Sequence, residues 1–389
     1  MFAARAGCNL ASLPKKIFIS AGEYSGDLLG ADLVAGLRSV FHSASFFGIT
    51  GPAMNAAGVE SIAGIEELSV MGVAEVVRKI GDLALLEKKI FAAIERLQPD
   101  FVITVDFPGF HFRMAEHLKM LGIPVYQYVA PKLWAWGAGR AERLRRDFSG
   151  VLGILPFEAE FFHGRGIKYR YVGCPHVDRI RRVKVDRTTF GFDRDRATQP
   201  VVLLLPGSRK GEIEAIAPLM VRIARQLEAA VPGITFALPV AANLDLKFVR
   251  AHFSGLRHLH VHHGSSLELM SVADVAVVAS GTATLECGLS ELPMVVVYEM
   301  GAISYALMSK LVSIKHVSLV NLIAGSEVVP EFVQNVDAIN VARQVEDLLL
   351  DQSVRGRQIA GLRLVNSSLA GGAALTAAKT IEEWLGGVS

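Results

Sequence analysis

IFISAGEYSGD, residues 17–27, joins a short apolar run to a glycine-containing turn and then to a helical pattern. The run Ile17–Ser20 predicts a strand buried on both faces, because its apolar residues do not alternate with polar ones. The turn Ala21–Asp27 opens a helix that is predicted to run from about Asp27 to Val40. A buried strand that leads directly into a helix is the unit from which parallel α/β sheets are built.

The same strand-to-helix unit recurs along nearly the whole chain. Further apolar runs in the first half are predicted as strands at Phe101–Val105, Val125–Val129, Val151–Leu155 and Tyr169–Val172. After a charged, turn-rich passage at 179–199 the pattern restarts, with strands predicted at Val201–Leu205, Thr235–Pro239, His258–His262, Val275–Ala279 and Met294–Tyr298. Helices are predicted between the strands, for example at about Phe112–Leu121 and Ile213–Val231.

This order predicts two Rossmann-like, doubly wound α/β domains that face each other across a cleft. A chain of 389 residues suits two domains at roughly 150 residues each. We expect the first domain at 16–175, the second at 176–363, and the C-terminal segment 364–389 packed back on the first. Because ligands of such sheets bind at the carboxyl ends of the strands, the turns that follow the strands are the candidate sites.

The composition excludes several other classes of protein. Hydrophobic residues make up 51% of the chain and charged residues 20%, which provides large cores and is unlike a disordered segment. The net charge of +2 is too balanced for a dedicated nucleic-acid binder. The cysteines Cys8, Cys174 and Cys287 show no disulfide or zinc spacing, which favours a reduced, cytoplasmic setting with Cys174 as a buried thiol.

A membrane span is not expected. The longest stretch without Asp, Glu, Lys or Arg, Ser39–Val59, is interrupted by polar residues and glycines, whereas a spanning helix needs about 20 mainly apolar residues. The mean hydropathy of +0.37 is nevertheless high. It leaves open an enzyme that works at a membrane surface.

Three motifs at predicted strand ends carry the chemistry, and the first is Ala21–Asp27. Its glycines let the backbone approach a ligand, and the free N–H groups at the helix start favour an anion. It is not the GxGxxG fingerprint of a dehydrogenase. The alternative is a tight structural turn that Ser25 or Asp27 caps.

The second motif, Leu205–Arg209, ends the first strand of the second half. Its glycine turn, its hydroxyl and Arg209 suit a phosphate, since a guanidinium forms paired, charge-assisted hydrogen bonds with one. No GK[ST] follows, so the motif is not a Walker loop. The alternative is that Arg209 simply pairs with Glu212.

The third motif, Ala279–Glu286, lies where a predicted strand turns into a helix. Small residues and hydroxyls there present backbone donors to a diphosphate, and Glu286 can accept hydrogen bonds from ribose hydroxyls. The alternative is an ordinary N-cap at Ser280 or Thr282 with a buried glutamate, although a buried carboxylate without a partner is costly. The second and third motifs together predict a nucleoside diphosphate site.

Beyond these motifs, the sequence resembles the lipid-A-disaccharide synthases, a family of inverting glycosyltransferases with the GT-B fold. The resemblance runs from about Lys16 to Leu385. It rests on motifs in the order of the family: AGEYSGD (21–27), GITGPAM (48–54), LSVMGVAEV (68–76), VAPKLWAW (129–136), LPFE (155–158), LLPGSR (204–209), SGTATLE (280–286), NLIAG (321–325) and VPEFVQ (329–334).

The resemblance implies a reaction that uses neither a metal nor a cofactor. Such enzymes transfer 2,3-diacylglucosamine from its UDP conjugate to the C6 hydroxyl of 2,3-diacylglucosamine 1-phosphate, which gives the β-1,6 disaccharide 1-phosphate and UDP in lipid A biosynthesis. The implied nucleotide-binding residues are Gly207, Ser208, Arg209, Ser280, Gly281, Thr282, Ala283, Thr284, Glu286 and Gln334. The implied substrate-binding residues are Gly22, Ser25, Asp27 and Asn321.

The general base is the point at which the sequence departs from the family. VDFPGFH, residues 105–111, resembles a family segment often written IDxPDFN, and Gly109 stands in place of the second aspartate. Inversion requires a group that deprotonates the attacking hydroxyl. We expect Asp106 to be this catalytic base, with Glu23 and then His111 as substitutes, although Asp106 suits a structural cap equally well.

The acyl chains of both implied substrates predict peripheral contact with membrane lipid on the cytoplasmic face of the inner membrane. An apolar helical face beside Arg78 and Lys79 can enter an anionic leaflet or face the core; it consists of Val70, Met71, Val73, Val76, Val77 and Ile80. A basic cluster can attract lipid or the acceptor phosphate, but a solvated helix face is favoured; it consists of Arg140, Arg143, Arg145 and Arg146. A homodimer is a candidate assembly, and no nucleic acid partner is expected.

Two alternatives stay open. The chain can be another GT-B transferase that passes a UDP-sugar to a different lipid acceptor. It can also be a non-catalytic paralogue that binds a UDP-sugar lipid, which the glycine at position 109 would explain.

Overall fold

The computed structural model describes residues 15–69, 73–135, 137–193, 195, 198–264, 266–299 and 315–387, and describes no side chains from 69 to 84. The chain divides into two compact units. The first contains residues 15–175 and 370–387, and the second lies within 176–369. Each unit has one parallel sheet connected by helices, which confirms the predicted fold class of two doubly wound α/β domains.

The sheet of the first unit has seven strands. They are β1 (Lys16–Ala21), β2 (Ser45–Thr50), β3 (Glu60–Gly64), β4 (Phe101–Val105), β5 (Val125–Tyr128), β6 (Gly150–Gly153) and β7 (Tyr169–Tyr171). Their order is β3-β2-β1-β4-β5-β6-β7, with every pair parallel. The winding direction therefore changes between β1 and β4, which is where doubly wound sheets bind their ligands.

The helices of the first half connect these strands. They are α1 (Tyr24–Val40), α2 (Pro52–Ala56), α3 (Ile65–Ser69), α4 (Val73–Leu97), α5 (Pro108–Met120), α6 (Ala141–Asp147) and α7 (Glu158–His163), with a 3-10 turn at Ala138–Arg140. Helix α5 begins four residues earlier than predicted at Pro108, because the fixed φ of proline suits the first helical position. Helix α1 begins at Tyr24 rather than near Asp27, since Glu23 already has the extended backbone of an N-cap.

The sheet of the second unit has six strands. They are β8 (Val201–Leu205), β9 (Thr235–Val240), β10 (Leu259–His263), β11 (Val275–Ala279), β12 (Met294–Tyr298) and β13 (Glu331–Val333). Their order is β10-β9-β8-β11-β12-β13, again with every pair parallel. Here the winding changes direction between β8 and β11.

The remaining helices lie between residues 175 and 385. They are α8 (Pro175–Arg181), α9 (Lys210–Ala230), α10 (Leu246–His252), α11 (Ser266–Val272), α12 (Thr282–Leu289), α13 (Leu319–Ala324), α14 (Ala338–Leu350), α15 (Gln352–Ser367) and α16 (Ala373–Leu385), with a 3-10 turn at Arg187–Phe190. Helix α16 packs on α1 of the first unit, and Trp384 stacks on Tyr126 with ring centroids 5.8 Å apart.

The boundary after the second unit differs from the expected one. The chain divides at Ala370, whereas the sequence predicted a division at 363/364. The reason is that α15 runs on to Ser367 and packs against α12 and α13 of the second unit.

Three strands are missing from the prediction for identifiable reasons. Strand β2 lies in the long uncharged stretch 39–59, which carries no alternation to mark a strand, and its edge neighbour β3 has only two apolar residues. Strand β13 has three residues, too short for a periodic signal. The predicted central strands are present, and all residues of β4 and β8 are buried, as strands covered on both faces must be.

Candidate active site

The carboxyl edge of the first sheet brings two predicted segments together. Ala21 of β1 is the register partner of Val105 of β4. The chain therefore leaves the sheet at adjacent positions through Gly22 and Glu23 on one strand and Asp106 on the other. Glu23 and Asp106, the two predicted catalytic residues, lie at the point where the winding of the sheet changes direction.

Asp106 occupies strained backbone. Its φ is +48° and that of Phe107 is +50°, both in the left-handed region that residues other than glycine seldom adopt. The Asp106 N–H donates to the carbonyl of Tyr128 (2.9 Å), and its carbonyl accepts from Gln127 Nε2 (3.2 Å). Two consecutive left-handed residues cost of order 1–3 kcal/mol each and persist only where surrounding contacts enforce them. The result is an exposed Asp106 side chain on a fixed turn.

His111 supports this turn through a hydrogen bond to its backbone. It is fully buried, with Nδ1 2.6 Å from the carbonyl oxygen of Asp106 and Nε2 2.9 Å from Oγ of Ser20. Burial lowers the pKa of His111 to about 4, although the bond to the Asp106 carbonyl opposes the shift. The neutral ring therefore donates from Nδ1 and accepts the Ser20 hydroxyl at Nε2. His111 cannot serve as the exposed base, so its place as a substitute base is withdrawn.

The first motif divides into a buried part and an exposed part. Gly22 is buried under the ring of Phe107, and a Cβ there would lie only 2.1 Å from a ring carbon. Glu23 is half-buried at the N-cap position of α1, and Ser25 is exposed in the first turn. Glycine at 22 is thus required by the packing of the Asp106 turn, while Glu23 and Ser25 remain accessible at the edge.

Asp27 has a structural role, which corrects its predicted place among the substrate-binding residues. Its side chain is fully buried. Oδ1 accepts the N–H groups of Gly51 (2.7 Å) and Met54 (3.1 Å), and Oδ2 accepts that of Ala53 (2.8 Å). Asp27 therefore caps the start of α2 from another helix, and both of its oxygens accept backbone hydrogen bonds.

A buried carboxyl group that sequence reasoning missed lies further along the same edge. Glu158 is 1% exposed; Trp134 Nε1 donates to one of its oxygens (3.1 Å) and the Tyr169 hydroxyl to the other (3.3 Å). Burial raises the pKa of Glu158 to about 7, against the opposing effect of these hydrogen bonds. The motifs VAPKLWAW and LPFE thus meet in one network that fixes the segment after β5.

The carboxyl edge of the second sheet brings the second and third motifs together. Leu205 of β8 is the register partner of Val278 of β11, so Gly207–Arg209 and Ser280–Ala283 leave neighbouring strands. Gln334 follows β13 at the same edge, where its N–H donates to the carbonyl of Tyr298 (2.8 Å). The predicted nucleotide residues are therefore concentrated at the switch point of this sheet, with Gln334 two strands away.

Arg209 pairs with Glu212, as the alternative interpretation of the second motif expected. Its Nη1 lies 2.9 Å from Oε1 of Glu212, while Oε2 accepts the N–H groups of Ser208 (2.9 Å) and Arg209 (3.2 Å). Gly207 has a φ of +117°, and a Cβ there would lie 2.4 Å from Oε2. Arg209 and Glu212 are 61% and 39% exposed, so the pair is one that an anionic ligand can exchange at low cost.

The start of α12 contains both accessible and buried members of the third motif. Thr282 is exposed, and Gly281 and Ala283 are half-buried at a helix start whose first N–H groups lack intrahelical acceptors. Ser280 donates its hydroxyl to the carbonyl of Val317 (2.7 Å). Thr284 is fully buried, donates to the carbonyl of Gly281 (2.8 Å) and accepts the N–H of Leu319 (3.1 Å), so its predicted ligand contact is corrected to a structural one.

Asn321 is also structural rather than substrate-binding. It is fully buried, and its Nδ2 donates to the Val329 carbonyl (2.8 Å) and to Oε1 of Glu331 (2.9 Å). Its Oδ1 accepts the N–H groups of Val328 (2.7 Å) and Val329 (3.0 Å). Both ends of the amide are saturated, which leaves no donor or acceptor for a ligand.

Glu286 has a partner that the sequence did not suggest. Its Oε1 lies 3.0 Å from Nδ1 of His176, at the start of α8. The Glu286 carboxylate is thus hydrogen-bonded through one of its two oxygens. His176 escapes sequence reasoning because 110 residues separate the two.

Of the two surface features predicted from the sequence, the structure describes the basic cluster but not the apolar face. Three of the four arginines of the basic cluster are paired with carboxylates, Arg143 and Arg146 with Glu116 and Arg145 with Glu142, which agrees with the favoured solvated face. The apolar face of 70–80 lies outside the residues whose side chains are described. Among the described residues, no helix has both the length and the apolar character needed to cross a bilayer.

Two solved structures are similar to this chain in fold. The glycosyltransferase of kitacinnamycin matches with a TM-score of 0.61 and 17% identity over 95% of this chain and 99% of that one. The UDP co-structure of S. aureus MnaA matches with a TM-score of 0.66 and 12% identity over 96% and 97%. At these identities the likeness concerns the fold alone, which is the two-domain α/β architecture of GT-B proteins.

Sequence relatives define the family. The family model described as Lipid-A-disaccharide synthetase matches residues 17–377. The lipid-A-disaccharide synthase of Anaeromyxobacter sp. (strain K) is 40% identical over 92% of this chain and 94% of that protein, and that of Myxococcus xanthus (strain DK1622) is 38% identical over 96% and 98%. The chain therefore belongs to the lipid-A-disaccharide synthase family, and it is a glycosyltransferase of lipid A biosynthesis.

Proposed function

We propose that the chain transfers 2,3-diacylglucosamine from UDP-2,3-diacylglucosamine to the C6 hydroxyl of 2,3-diacylglucosamine 1-phosphate. The names of its relatives support the product class, since they are lipid-A-disaccharide synthases. The observation that carries the proposal is the Asp106 turn, where an exposed carboxylate lies on strained backbone that buried groups hold in place. Strain of this kind concentrates at functional sites.

In this proposal Asp106 is the general base. Its carboxylate takes the proton from the C6 hydroxyl as that oxygen attacks C1 of the donor sugar and the bond from C1 to the UDP oxygen breaks. Attack opposite the leaving group inverts C1 and gives the β-1,6 linkage. Such proton transfer contributes about 10²–10⁴-fold to the rate. Glu23, at the adjacent strand end, is the second candidate.

The leaving diphosphate is proposed to bind at the carboxyl edge of the second sheet. Arg209 would exchange Glu212 for a phosphate oxygen, and the first N–H groups of α12 at Thr282 and Ala283 would supply further donors. Together they would stabilise the charge that develops on UDP. This is the work that a divalent cation does in other transferases, so we propose a metal-independent reaction.

Two further proposals concern the setting of the protein, of which only the first follows from the acyl chains of the substrates. The first is peripheral contact with membrane lipid on the cytoplasmic face of the inner membrane, which co-sedimentation with anionic vesicles would test. The second is a homodimer as a candidate assembly, which sedimentation velocity would test.

One incubation tests the reaction directly. Purified protein is mixed with UDP-2,3-diacylglucosamine and 2,3-diacylglucosamine 1-phosphate in EDTA, and the products are measured by mass spectrometry. We expect a disaccharide monophosphate and one UDP for each disaccharide. UDP binding without this product would favour a different lipid acceptor, and UDP binding without turnover on any acylated acceptor would favour a non-catalytic protein.

A further inference from the structure

Glu286 and His176 form a pair in the interior of the second unit. His176 Nδ1 lies 3.0 Å from Oε1 of Glu286, and the two side chains are 6% and 16% exposed. A carboxylate only accepts hydrogen bonds, so Nδ1 is the ring nitrogen that carries the proton and donates. The pair has a fixed direction, from the imidazole to one carboxylate oxygen.

The second oxygen of Glu286 differs from the polar atoms of the structural residues Asp27 and Asn321 in its hydrogen bonding. Asp27 uses both of its oxygens, and Asn321 uses both ends of its amide. Within the part of the chain that the structure describes, Glu286 accepts from His176 through Oε1, and Oε2 accepts no hydrogen bond. A partly buried carboxylate oxygen in this state is stabilised when a ligand donates to it.

The backbone next to His176 is restricted at the start of α8. His176 follows Pro175, whose ring fixes φ at the first position of α8. A donor on restricted backbone loses less conformational entropy when it orients its partner.

We propose that His176 is a positioning residue of the nucleotide site, which holds Glu286 so that Oε2 accepts hydrogen bonds from the ribose hydroxyls of a uridine nucleotide. The inference rests on the proposed function, which puts the nucleotide against the start of α12. Without the imidazole donor, the glutamate side chain can adopt other rotamers, and its carboxylate loses a hydrogen-bond donor. The expected consequence is a loss of ribose recognition.

Calorimetric titration with UDP, 2′-deoxy-UDP and 3′-deoxy-UDP tests the inference on the full chain. The matched variants are His176→Asn, whose amide donates from nearly the position of Nδ1, and His176→Gln, whose amide reaches one bond farther. Glu286→Gln removes the charge of the acceptor. We expect the unaltered protein to bind UDP about tenfold more tightly than either deoxy nucleotide, because each hydroxyl donates to a charged group.

His176→Asn should keep this preference, whereas His176→Gln and Glu286→Gln should lose it. Similar melting temperatures of the two His176 variants would show that the difference is not one of folding. The inference is overturned if His176→Gln keeps the preference, if His176→Asn also loses it, or if Glu286→Gln leaves it intact. Failure of the unaltered protein to bind UDP would overturn the proposed function itself, a result that no pattern among the variants imitates.

Discussion

At the carboxyl edge of the first sheet an aspartate is exposed on left-handed backbone, whereas at that of the second an arginine is folded back on a glutamate. The Asp106 turn is enforced by a buried neutral histidine and by Gln127. Arg209 instead lies in an exposed pair with Glu212, which also occupies the backbone N–H groups of the motif. Both edges follow the same strand topology, so the difference lies in the loops.

The two edges are prepared for their ligands in different ways. In the first unit the backbone that carries the carboxylate is already strained before substrate binds. In the second unit an internal carboxylate occupies the anion position, so a phosphate must displace it. An exposed ion pair of this kind is worth about 0–1 kcal/mol, which makes the exchange inexpensive. We therefore expect a catalytic group on fixed backbone at the first edge. At the second edge we expect the phosphate to replace an internal carboxylate when it binds.

The largest expected effect comes from Asp106→Asn. The amide keeps the size of the side chain but cannot take a proton, so kcat should fall by about 10²–10⁴-fold while UDP affinity stays unchanged. Steady-state kinetics and calorimetric UDP titration measure the two quantities. Glu23→Gln is the matched control for the second candidate. A rate for Asp106→Asn equal to that of the unaltered protein would transfer the role of base to another group.

Arg209→Ala should reduce kcat/KM by about 10²–10³-fold, the usual loss when one donor that stabilises developing charge is removed. Unlike Asp106→Asn, it should also weaken UDP binding. Glu212→Gln is the control, because it removes the competing charge and leaves Arg209 in place. It should bind UDP at least as tightly as the unaltered protein. Weaker binding by Glu212→Gln would mean that the glutamate shapes the site and does not compete for it.

Asp27→Ala should affect stability and leave catalysis intact. It leaves three N–H groups at the start of α2 without their acceptor, and each such loss costs about 1–3 kcal/mol, so we expect a decrease of about 3 kcal/mol or more in the free energy of unfolding. Urea denaturation measures this, and kcat/KM per folded molecule should not change. Ser25→Ala, two residues away and exposed, is predicted to show the reverse. Unchanged stability in Asp27→Ala would restore the substrate role.

His111 should make the free energy of unfolding depend on pH. Its folded pKa of about 4 lies below the usual 6.5, so between these values the unfolded chain binds more protons and stability rises with pH. The contribution is complete above pH 6.5 and amounts to about 3 kcal/mol relative to pH below 4. Glu158, with a folded pKa of about 7, acts in the opposite direction, because its contribution is present below pH 4.5 and is lost as pH rises through 7.

Denaturation of His111→Asn and Glu158→Gln from pH 4 to 8 separates the two groups. The first variant should lose the part of the slope that favours neutral pH, and the second the part that favours acid. If His111→Asn and the unaltered protein show the same pH profile, the pKa of His111 does not differ between the folded and the unfolded state.

The same comparison shows where sequence reasoning succeeds. The buried runs and the turns after them predict both carboxyl edges, because strand order in doubly wound sheets brings such turns together. Glu23, Asp106 and Arg209 lie at those edges as a result. Even the pairing of Arg209 with Glu212 could be anticipated, since three residues separate them on one helix turn.

Sequence reasoning fails where a partner is distant along the chain. Asp27 and Asn321 look like ligand-binding residues because both are polar and belong to family motifs. Their real partners, the start of α2 and the segment 328–331, are known only from the folded chain. His176 is missed for the same reason. A motif shows which residues are constrained, but burial and hydrogen bonding decide whether the constraint is structural.

Gly109→Asp has the smallest expected effect and tests the comparison most directly. A Cβ at position 109 contacts nothing within 4 Å, and the residue is exposed in the first turn of α5. An acidic side chain there interacts favourably with the helix dipole and replaces a glycine, so stability should rise by about 1 kcal/mol. If Asp106 is the base, kcat should hardly change. An increase of about tenfold or more, equal to roughly 1.4 kcal/mol of the barrier, would show that the carboxylate of the family pattern is the better base and that the strained turn serves to orient it.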